Sequence, residues 1–228
     1  MTIYTVIPAR SGSKSIPKKN IRPLRGKPLL QYSVEYSLQC PLVLRTVVST
    51  DSEEFAQVAR NCGADVPFLR PAEFARDDTQ DYPVIRHALD ALESIYKEQI
   101  DLVVLLRPTS PFRPPKLIER AVELLQKHPG ATSVRAVTRS TEHPYRQWVI
   151  EEPFMVGFAR DVREPYNIPR QKLPKVLFQT GDLEMVTRPT LLSGSVSGDH
   201  VLPLYIAPEE MLDLDTFSDW EEAERRKI

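Results

Sequence analysis

Residues 3–20 read IYTVIPARSGSKSIPKKN, a short apolar stretch that runs directly into a basic loop. Residues 3–9 are apolar with β-branched residues near their centre, which predicts a buried strand. The loop from Arg10 to Asn20 holds one arginine, three lysines and three serines, and no acidic residue occurs before Glu35. In α/β proteins, ligands bind beyond the carboxyl ends of the strands, which is where this loop lies.

The rest of the chain alternates helix-like and strand-like stretches. Apolar residues at helical intervals predict helices over 29–39, 81–96 and 114–127, and Glu53 and Glu54 favour the start of a further helix after Asp51. Short apolar runs predict strands over 46–49, 66–69, 101–106 and 132–137. This alternation predicts an α/β fold whose mostly parallel sheet is flanked by helices.

The alternation stops between about 138 and 178. This stretch is rich in proline, arginine and aromatic residues and has no clear period. Because neither a helix nor a buried strand is indicated, we expect an arm inserted into one domain that spans residues 1–228.

The composition excludes several classes of protein. The 228 residues carry a net charge of −1, which argues against a general nucleic-acid or membrane-surface protein. The longest uncharged apolar run, 102–106, is too short to cross a bilayer, and the first residues lack the layout of a signal peptide. Cys40 and Cys62 stand apart without metal-ligand spacing, so we expect a cytoplasmic protein with reduced thiols.

The chemistry of the first loop suits a polyphosphate. Gly12 and its small neighbours allow backbone N–H groups to turn toward an anion, and Arg10, Lys14 and Lys19 add cationic side chains. The alternative is a solvated basic turn. The loop is neither a P-loop, which requires GxxxxGK followed by Ser or Thr, nor a dinucleotide fingerprint, since Gly12 is the only glycine before Gly26.

Two further stretches supply candidate binding groups. Asp213 and Asp215 are two residues apart, so on an extended segment they face the same way and suit Mg²⁺, although such acids are also common as helix caps or solvated surface. Thr109 and Ser110, which follow the most apolar predicted strand, offer hydroxyl groups there. Arg107 and Arg113 at either end of this stretch could bind an anionic substrate. The alternative for Arg107 is a structural pair with a nearby acid.

The chain also resembles a known enzyme family. Its motifs, in order, are IPARSGSKSIPKKN at 7–20, STD at 49–51, RPAEFARDDT at 70–79, RPTSPFR at 107–113, RQKLP at 170–174 and DLDTFSDW at 213–220. This ordered set resembles the acylneuraminate cytidylyltransferases, also called CMP-sialic acid synthetases. The resemblance implies a Rossmann-like nucleotidyltransferase fold, a homodimer formed through an arm, and Mg²⁺-dependent transfer of a cytidylyl group from CTP to an acidic nonulosonic sugar.

The resemblance also implies roles for individual residues. The nucleotide and triphosphate contacts would be Arg10, Ser11, Lys14, Lys19 and Asn20. Arg70 and Thr79 are similar to residues on the base and ribose side. Arg170, with Gln171 beside it, is similar to the arm arginine that approaches the sugar from the neighbouring subunit. The two aspartates of DLD match the family's metal ligands.

This assignment implies separate roles for these residues in the reaction. Arg10 and Lys14 would stabilise the charge that develops on the leaving pyrophosphate. No residue stands out as a dedicated general base, so we expect activation by the metal, with carboxylate help from Asp215.

The sequence departs from the family pattern on the sugar side. Arg107 replaces the usual glutamine before PTSP, and the stretch TGDLE at 180–184 replaces NGAIY. The identity of the sugar is therefore left open, and the candidates are legionaminic, pseudaminic or deaminated relatives of N-acetylneuraminate. Three alternatives also remain at this point: the same chemistry with GTP, a glycosyltransferase with a DxD metal site, and a noncatalytic nucleotide-sugar-binding protein. The position of DLD near the carboxyl terminus argues against the second, and the paired aspartates argue against the third.

Overall fold

A computed structural model describes residues 1–226, and its secondary structure confirms the predicted α/β alternation. The strands are β1 Ile3–Pro8, β2 Pro23–Leu24, β3 Lys27–Pro28, β4 Arg45–Ser49, β5 Leu102–Leu105, β6 Ser133–Arg139, β7 Trp148–Glu151, β8 Phe154–Gly157, β9 Leu177–Thr187 and β10 Val201–Tyr205. The helices are α1 Leu29–Leu38, α2 Glu53–Asn61, α3 Asp81–Tyr96, α4 Leu117–Lys127, α5 Arg188–Leu192 and α6 Phe217–Arg225.

A six-stranded sheet with the order β10-β6-β9-β5-β1-β4 forms the centre of the fold. β4 and β5 pair in parallel with β1, and β10 pairs in parallel with β6. β9 lies antiparallel between β5 and β6. The sheet is therefore mostly parallel, as predicted, with one reversed strand that the sequence patterns did not indicate.

Helices cover both faces of this sheet. Alternate residues of β1 point to opposite faces, so Ile3 and Ile7 pack in a cluster with α1, α2 and α4, whereas Tyr4 and Val6 pack with α3 and α5. Burial on both faces explains why β5 is apolar at every position. Within residues 1–226, no helix combines the length and apolarity that crossing a bilayer requires.

The predicted strand at 66–69 is wrong. The segment around residues 65–69 pairs with β4 only through an isolated bridge between Val47 and Asp65, where the Val48 N–H donates to the Asp65 carbonyl at 3.0 Å. Pro67 follows two residues later and has no N–H to continue a ladder. The segment therefore leaves the sheet and leads to Arg70.

A bulge interrupts the pairing of β6 with β9. Arg135 pairs with Glu184, but Val137 pairs with Gln179, so residues 180–183 bow out opposite Ala136. Such bulges redirect side chains beside functional sites. At Gly181 the backbone comes so close to the 107–113 loop that an added Cβ would lie 2.6 Å from the Ser110 Oγ, so a larger residue here would force the Ser110 side chain to move.

The predicted arm has more regular structure than its sequence indicated. The outer ends of β6 and β9 pair with each other through residues 137–139 and 177–179, and the β7–β8 hairpin lies between them in sequence. Large apolar side chains on this stretch are exposed; the most exposed are Ile150, Phe154, Met155 and Phe158. They have no apolar layer to pack against within the described chain, which explains the absence of a clear hydrophobic period.

Candidate functional site

A cleft of about 390 Å³ opens beyond the carboxyl ends of β1 and β5. Its walls come from the loop after β1, the segment 70–79, the start of α3 and the loop after β5, with Asp215 at its edge. The predicted site residues that line it are Arg10, Lys14, Lys19, Asn20, Arg70, Thr79, Arg107, Thr109 and Asp215. The topology thus gathers residues that are separated by as many as 205 positions in sequence.

Two cations of the first loop share one carboxylate. The Lys14 Nζ lies 2.5 Å from the Asp77 Oδ2, and the Arg10 Nη1 donates to the Asp77 Oδ1. Hydrogen bonds from Lys14 and from Arg10 lower the pKa of Asp77 below its ordinary value. Arg10 and Lys14 are therefore close enough to bind one anion together, and in the structure that anion is the Asp77 carboxylate.

Lys19 and Asn20 connect the first loop to its surroundings. The Lys19 Nζ donates to the Leu214 carbonyl at 2.8 Å and to the Asp215 Oδ1 at 3.1 Å. The Asn20 side-chain amide donates to the Arg10 carbonyl at 3.0 Å. These bonds hold the basic loop against the DLD segment.

The DLD segment is extended, as the aspartate spacing predicted. Leu212 and Leu214 are buried while Asp213 and Asp215 are exposed, and the Leu214 N–H donates to the Thr109 carbonyl at 2.8 Å. In addition, the Asp219 carboxylate in the first turn of α6 accepts from the Asp215 N–H at 3.0 Å. The backbone is thus held at Leu214 and at Asp215, while the side chains of the two aspartates are exposed.

The residues present fit Mg²⁺. This ion takes one or two carboxylates and completes its shell with water and substrate phosphate, so the two exposed aspartates beside the cationic loop are sufficient donors. No group of three or more histidine, cysteine, aspartate or glutamate residues suited to a metal occurs among residues 1–226.

Arg70 is buried in the part of the cleft wall formed by residues 70–79. Its Nε donates to the Ser49 Oγ at 3.1 Å, its Nη2 to the Ser49 carbonyl and its Nη1 to the Phe74 carbonyl at 3.4 Å. Desolvation lowers its pKa to about 10, so it remains charged at neutral pH. The Thr79 hydroxyl, which donates to the Glu73 carbonyl at 3.3 Å, lies on the same wall.

Arg107 belongs to a charged cluster formed with Asp81, Arg135 and Glu184. Its guanidinium donates to both oxygens of Asp81, at 3.1 and 2.6 Å, and to the Glu184 Oε1 at 2.6 Å. The Arg135 Nη1 lies 2.9 Å from the Glu184 Oε2. Although burial opposes its charge, Asp81 and Glu184 raise the pKa of Arg107 above its ordinary value. Arg107 therefore has the paired arrangement that the sequence left open as an alternative.

This arrangement predicts the effect of Arg107→Gln on stability. The change leaves the 5%-exposed Glu184 side chain with only one arginine and removes the partner of Asp81. We expect a loss of about 2 kcal/mol in the free energy of unfolding, less than for a wholly unpaired buried charge because Arg135 remains. Urea unfolding measures it.

The matched control is the double variant Arg107→Gln with Glu184→Gln. Because it removes one charge of each sign, its loss should be smaller than the sum of the two single losses by at least about 0.5 kcal/mol. Additive losses of stability would show that the Arg107 and Glu184 side chains do not interact.

Some predicted residues do not line the cleft. The Ser11 N–H and hydroxyl donate to the two oxygens of Asp51 at 2.8 and 2.7 Å. Ser110 is buried under Gly181, and Asp213 is exposed just outside the lining. Arg170 and Gln171 are exposed on the arm. Their assignments to the nucleotide, substrate and metal stay predictions.

Further residues that line the cleft were not predicted from the sequence, among them Asp77, Phe74 and Asp81. Asp77 and Phe74 lie inside the RPAEFARDDT motif, where only Arg70 and Thr79 were singled out. Asp81 occupies the first position of α3, where an acid is ordinary helix-terminus chemistry. The signal that could have identified the two acids is the density of acidic residues, since three aspartates occur within the five positions 77–81.

Comparison with known proteins agrees with this architecture. The chain is 47% identical over 126 residues to a CMP-N,N'-diacetyllegionaminic acid synthase of Legionella pneumophila, covering 54% of this chain and 53% of that protein. It is 43% identical over 140 residues to an N-acylneuraminate cytidylyltransferase of Escherichia coli, covering 61% of this chain and 32% of that one. The chain thus spans about half, or less, of the length of these two relatives.

Two further matches extend over nearly the whole chain. A pseudaminic acid cytidylyltransferase of Campylobacter jejuni is 29% identical over 222 residues, which are 95% of this chain and 92% of that protein. A CMP:2-keto-3-deoxy-manno-octonic acid synthetase solved in complex with CTP shares the fold, with a TM-score of 0.73, 17% identity and coverage of 98% and 97%. A family model described as cytidylyltransferase matches residues 4–151, and with this match the chain belongs to the cytidylyltransferase family.

Proposed function

We propose that the protein transfers a cytidylyl group from CTP to the anomeric hydroxyl of an acidic nonulosonic sugar, giving a CMP-sugar and pyrophosphate. The observation that carries this proposal is the meeting of Arg10, Lys14, Lys19 and Asp215 in one cleft beyond the ends of β1 and β5. Cations suited to a triphosphate and a carboxylate suited to its metal are both present there. The family supports the nucleotide, and the relatives are named for three different acidic sugars.

In the proposed reaction the anomeric oxygen forms a bond to the α-phosphorus as the bond to the leaving pyrophosphate breaks, and the hydroxyl proton is released. Arg10 and Lys14 bind the departing phosphates and stabilise the charge that collects on them. Before they bind the nucleotide, Arg10 and Lys14 must break their contacts with Asp77. Lys19, which contacts Asp215, lies between the bound phosphates and the DLD segment.

Asp213 and Asp215 would hold Mg²⁺. When bound, this ion supplies charge neutralisation of the phosphates and lowers the pKa of a coordinated hydroxyl. Lys19 holds the Asp215 carboxylate in place through its 3.1 Å contact, while the Thr109 carbonyl fixes the backbone between the two aspartates.

The test is pyrophosphate release by the purified full chain with Mg²⁺, each of CTP, GTP, ATP and UTP, and a panel of nonulosonic acids. Release with CTP and one acidic sugar supports the proposal and identifies the sugar. Release with GTP alone would overturn the base assignment. Binding of CTP without release across the panel would favour a noncatalytic nucleotide-binding protein.

We further propose that the enzyme works in the cytoplasm as a homodimer in which the arm reaches the neighbouring subunit. The exposed fractions of the arm side chains Ile150 and Phe154, 75% and 74%, are those of an apolar surface that a second copy would cover. Arg170 is exposed on the same arm and does not line the cleft of its own chain. A site completed in trans accounts for both features.

Arg170→Ala should raise the Michaelis constant for the sugar more than that for CTP, because Arg170 is assigned to the sugar. A hydrogen bond to a charged group is worth about 1.5–3 kcal/mol, which corresponds to roughly a 10- to 100-fold effect. Steady-state kinetics with each substrate varied in turn measures it. Unchanged constants for the sugar would remove Arg170 from the site.

Mixing variants tests the arrangement in trans. If Arg170 acts on the neighbouring site, a re-equilibrated mixture of the Arg170→Ala and Arg10→Ala proteins contains mixed dimers with one intact site, and about a quarter of wild-type activity should return. Each variant alone is the control. If Arg170 acts within its own chain, no mixed dimer has an intact site, and the mixture stays as inactive as its parts.

A further inference from the structure

Arg113, the last residue of the 107–113 loop, is a buried cation that the proposed reaction does not use. It is 9% exposed, and within residues 1–226 it is not part of the cleft lining. Burial lowers the pKa of its guanidinium to about 10, so the side chain stays charged at neutral pH. Because it is closed off from the cleft, Arg113 is not placed to bind an anionic substrate, a role that the sequence allowed.

The Arg113 guanidinium instead donates hydrogen bonds to three separate parts of the fold. Its Nε donates to the Asp182 carbonyl in the β9 bulge at 2.6 Å, and its Nη1 donates to the Ser33 Oγ of α1 at 3.0 Å. Its Nη2 donates to the Arg107 carbonyl at the start of its own loop. Since the acceptors are two backbone carbonyls and a hydroxyl, the cation fixes the positions of these segments rather than pairing with a carboxylate.

These bonds close the 107–113 loop on itself. The side chain of its last residue holds the carbonyl of its first, and the Ser110 N–H donates to that same Arg107 carbonyl at 3.2 Å. The Ser33 hydroxyl adds a third donor to it at 3.3 Å. Thr109 lies inside the closed loop, so its position relative to α1 and β9 depends on Arg113.

Thr109 is the residue through which the loop supports the DLD segment. Its carbonyl accepts from the N–H of Leu214, which lies between the two aspartates assigned to Mg²⁺. The β9 bulge approaches the same segment, since a Cβ added at Gly181 would lie 3.8 Å from the Asp213 Oδ1. Arg113 is bonded both to the loop and to the bulge, so it connects the two structures that lie against the metal-binding segment.

We propose that Arg113 is a positioning residue for the metal site, which fixes the 107–113 loop against α1 and β9 and thereby holds Asp213 and Asp215 where Mg²⁺ needs them. The inference rests on the proposed function, since it concerns the metal of that same site. Mg²⁺ demands near-ideal octahedral geometry, so a small displacement of one carboxylate weakens its binding. Losing a residue that orients metal ligands typically costs about 10- to 100-fold in metal affinity.

Calorimetric titration with CTP tests this without the sugar and without turnover. For each variant of the full chain, the CTP dissociation constant is measured in EDTA and in Mg²⁺, and the ratio of the two constants is the Mg²⁺ enhancement. Comparison of variants at the same concentrations cancels the binding of Mg²⁺ to free CTP. The double variant Asp213→Ala with Asp215→Ala gives the enhancement that remains without the two carboxylates.

Arg113→Met keeps the length of the side chain but removes every donor. We expect it to lower the Mg²⁺ enhancement by about tenfold, or to the value of the double aspartate variant if that fall is smaller. Arg113→Lys keeps the charge without the forked donors and should retain a larger part of the enhancement. Ser33→Ala removes one acceptor of Arg113 and should cause a smaller loss of the same kind. The CTP affinity in EDTA should change little in all three.

Leu92→Ala controls for a general loss of stability. Leu92 is buried in the cluster on the α3 face of the sheet, so this change should lower the urea midpoint and leave the Mg²⁺ enhancement at its wild-type value. Circular dichroism confirms that each variant is folded. If Arg113→Met does not fold, Arg113→Lys and Ser33→Ala still test the inference. An equal loss of enhancement in Leu92→Ala would show that Arg113 acts only through stability.

A wild-type Mg²⁺ enhancement in the folded Arg113 and Ser33 variants would overturn the inference. A wild-type enhancement in the double aspartate variant would overturn it as well, by removing the metal site itself, so the two outcomes are distinguishable. Absent pyrophosphate release by the wild-type protein would mark a failure of the proposed function, whether or not the enhancement depends on Arg113.

Discussion

The double variant Asp213→Ala with Asp215→Ala should release pyrophosphate at least about a thousandfold more slowly than wild type. This loss is equivalent to roughly 4 kcal/mol of transition-state stabilisation. The two carboxylates are the exposed residues of an extended segment whose buried leucines and Thr109 contact hold it in place. Removing them leaves no acidic ligand on this segment for a metal. Initial rates over a range of Mg²⁺ concentrations measure the loss.

The fold should survive this change. Neither aspartate contributes to the hydrophobic cluster around Leu212, Leu214 and Trp220, so the urea midpoint should stay close to that of wild type. Asp161→Ala, which removes a single exposed carboxylate on the arm, is the control for the loss of a surface charge and should keep its activity. Full activity of the double variant at limiting Mg²⁺ would contradict the assignment of these aspartates to the metal.

Arg10→Ala should lower turnover by about 2–4 kcal/mol in transition-state free energy, the cost of losing one preorganised charge donor. The Arg10 side chain is 33% exposed, whereas that of Lys14 is 82% exposed. Solvent and salt screen the more exposed charge more strongly, so Lys14→Ala should have the smaller effect within that range, and a larger part of it should vanish at high salt. Single-turnover rates at two ionic strengths measure both.

Two controls define the result. Arg10→Lys keeps the charge but loses the forked donor, so its rate should lie between those of wild type and Arg10→Ala. Asp77→Ala removes the competing carboxylate and should tighten nucleotide binding without removing a cation. Turnover of Arg10→Ala near that of wild type would exclude the first loop as the triphosphate site.

Much of the architecture followed from local patterns. The helix 81–96 was predicted at its observed bounds, and β5 was predicted because its residues are apolar at every position. Asp213 and Asp215 were expected on one side of an extended segment, and they are exposed there. The prediction of a strand at 66–69 was wrong because apolar residues alone do not show that Pro67 ends the pairing at Asp65.

The sequence by itself determined the α/β alternation, the basic loop after β1 and the acidic DLD segment, because these depend on the spacing and type of residues close together in the chain. Only the tertiary structure decided that Arg107 pairs with Asp81 and Glu184, that Asp77 lies between Arg10 and Lys14, and that Gly181 approaches Ser110. Those contacts join segments 26 to 77 residues apart. They depend on strand order and on the bulge in β9, which no local pattern encodes.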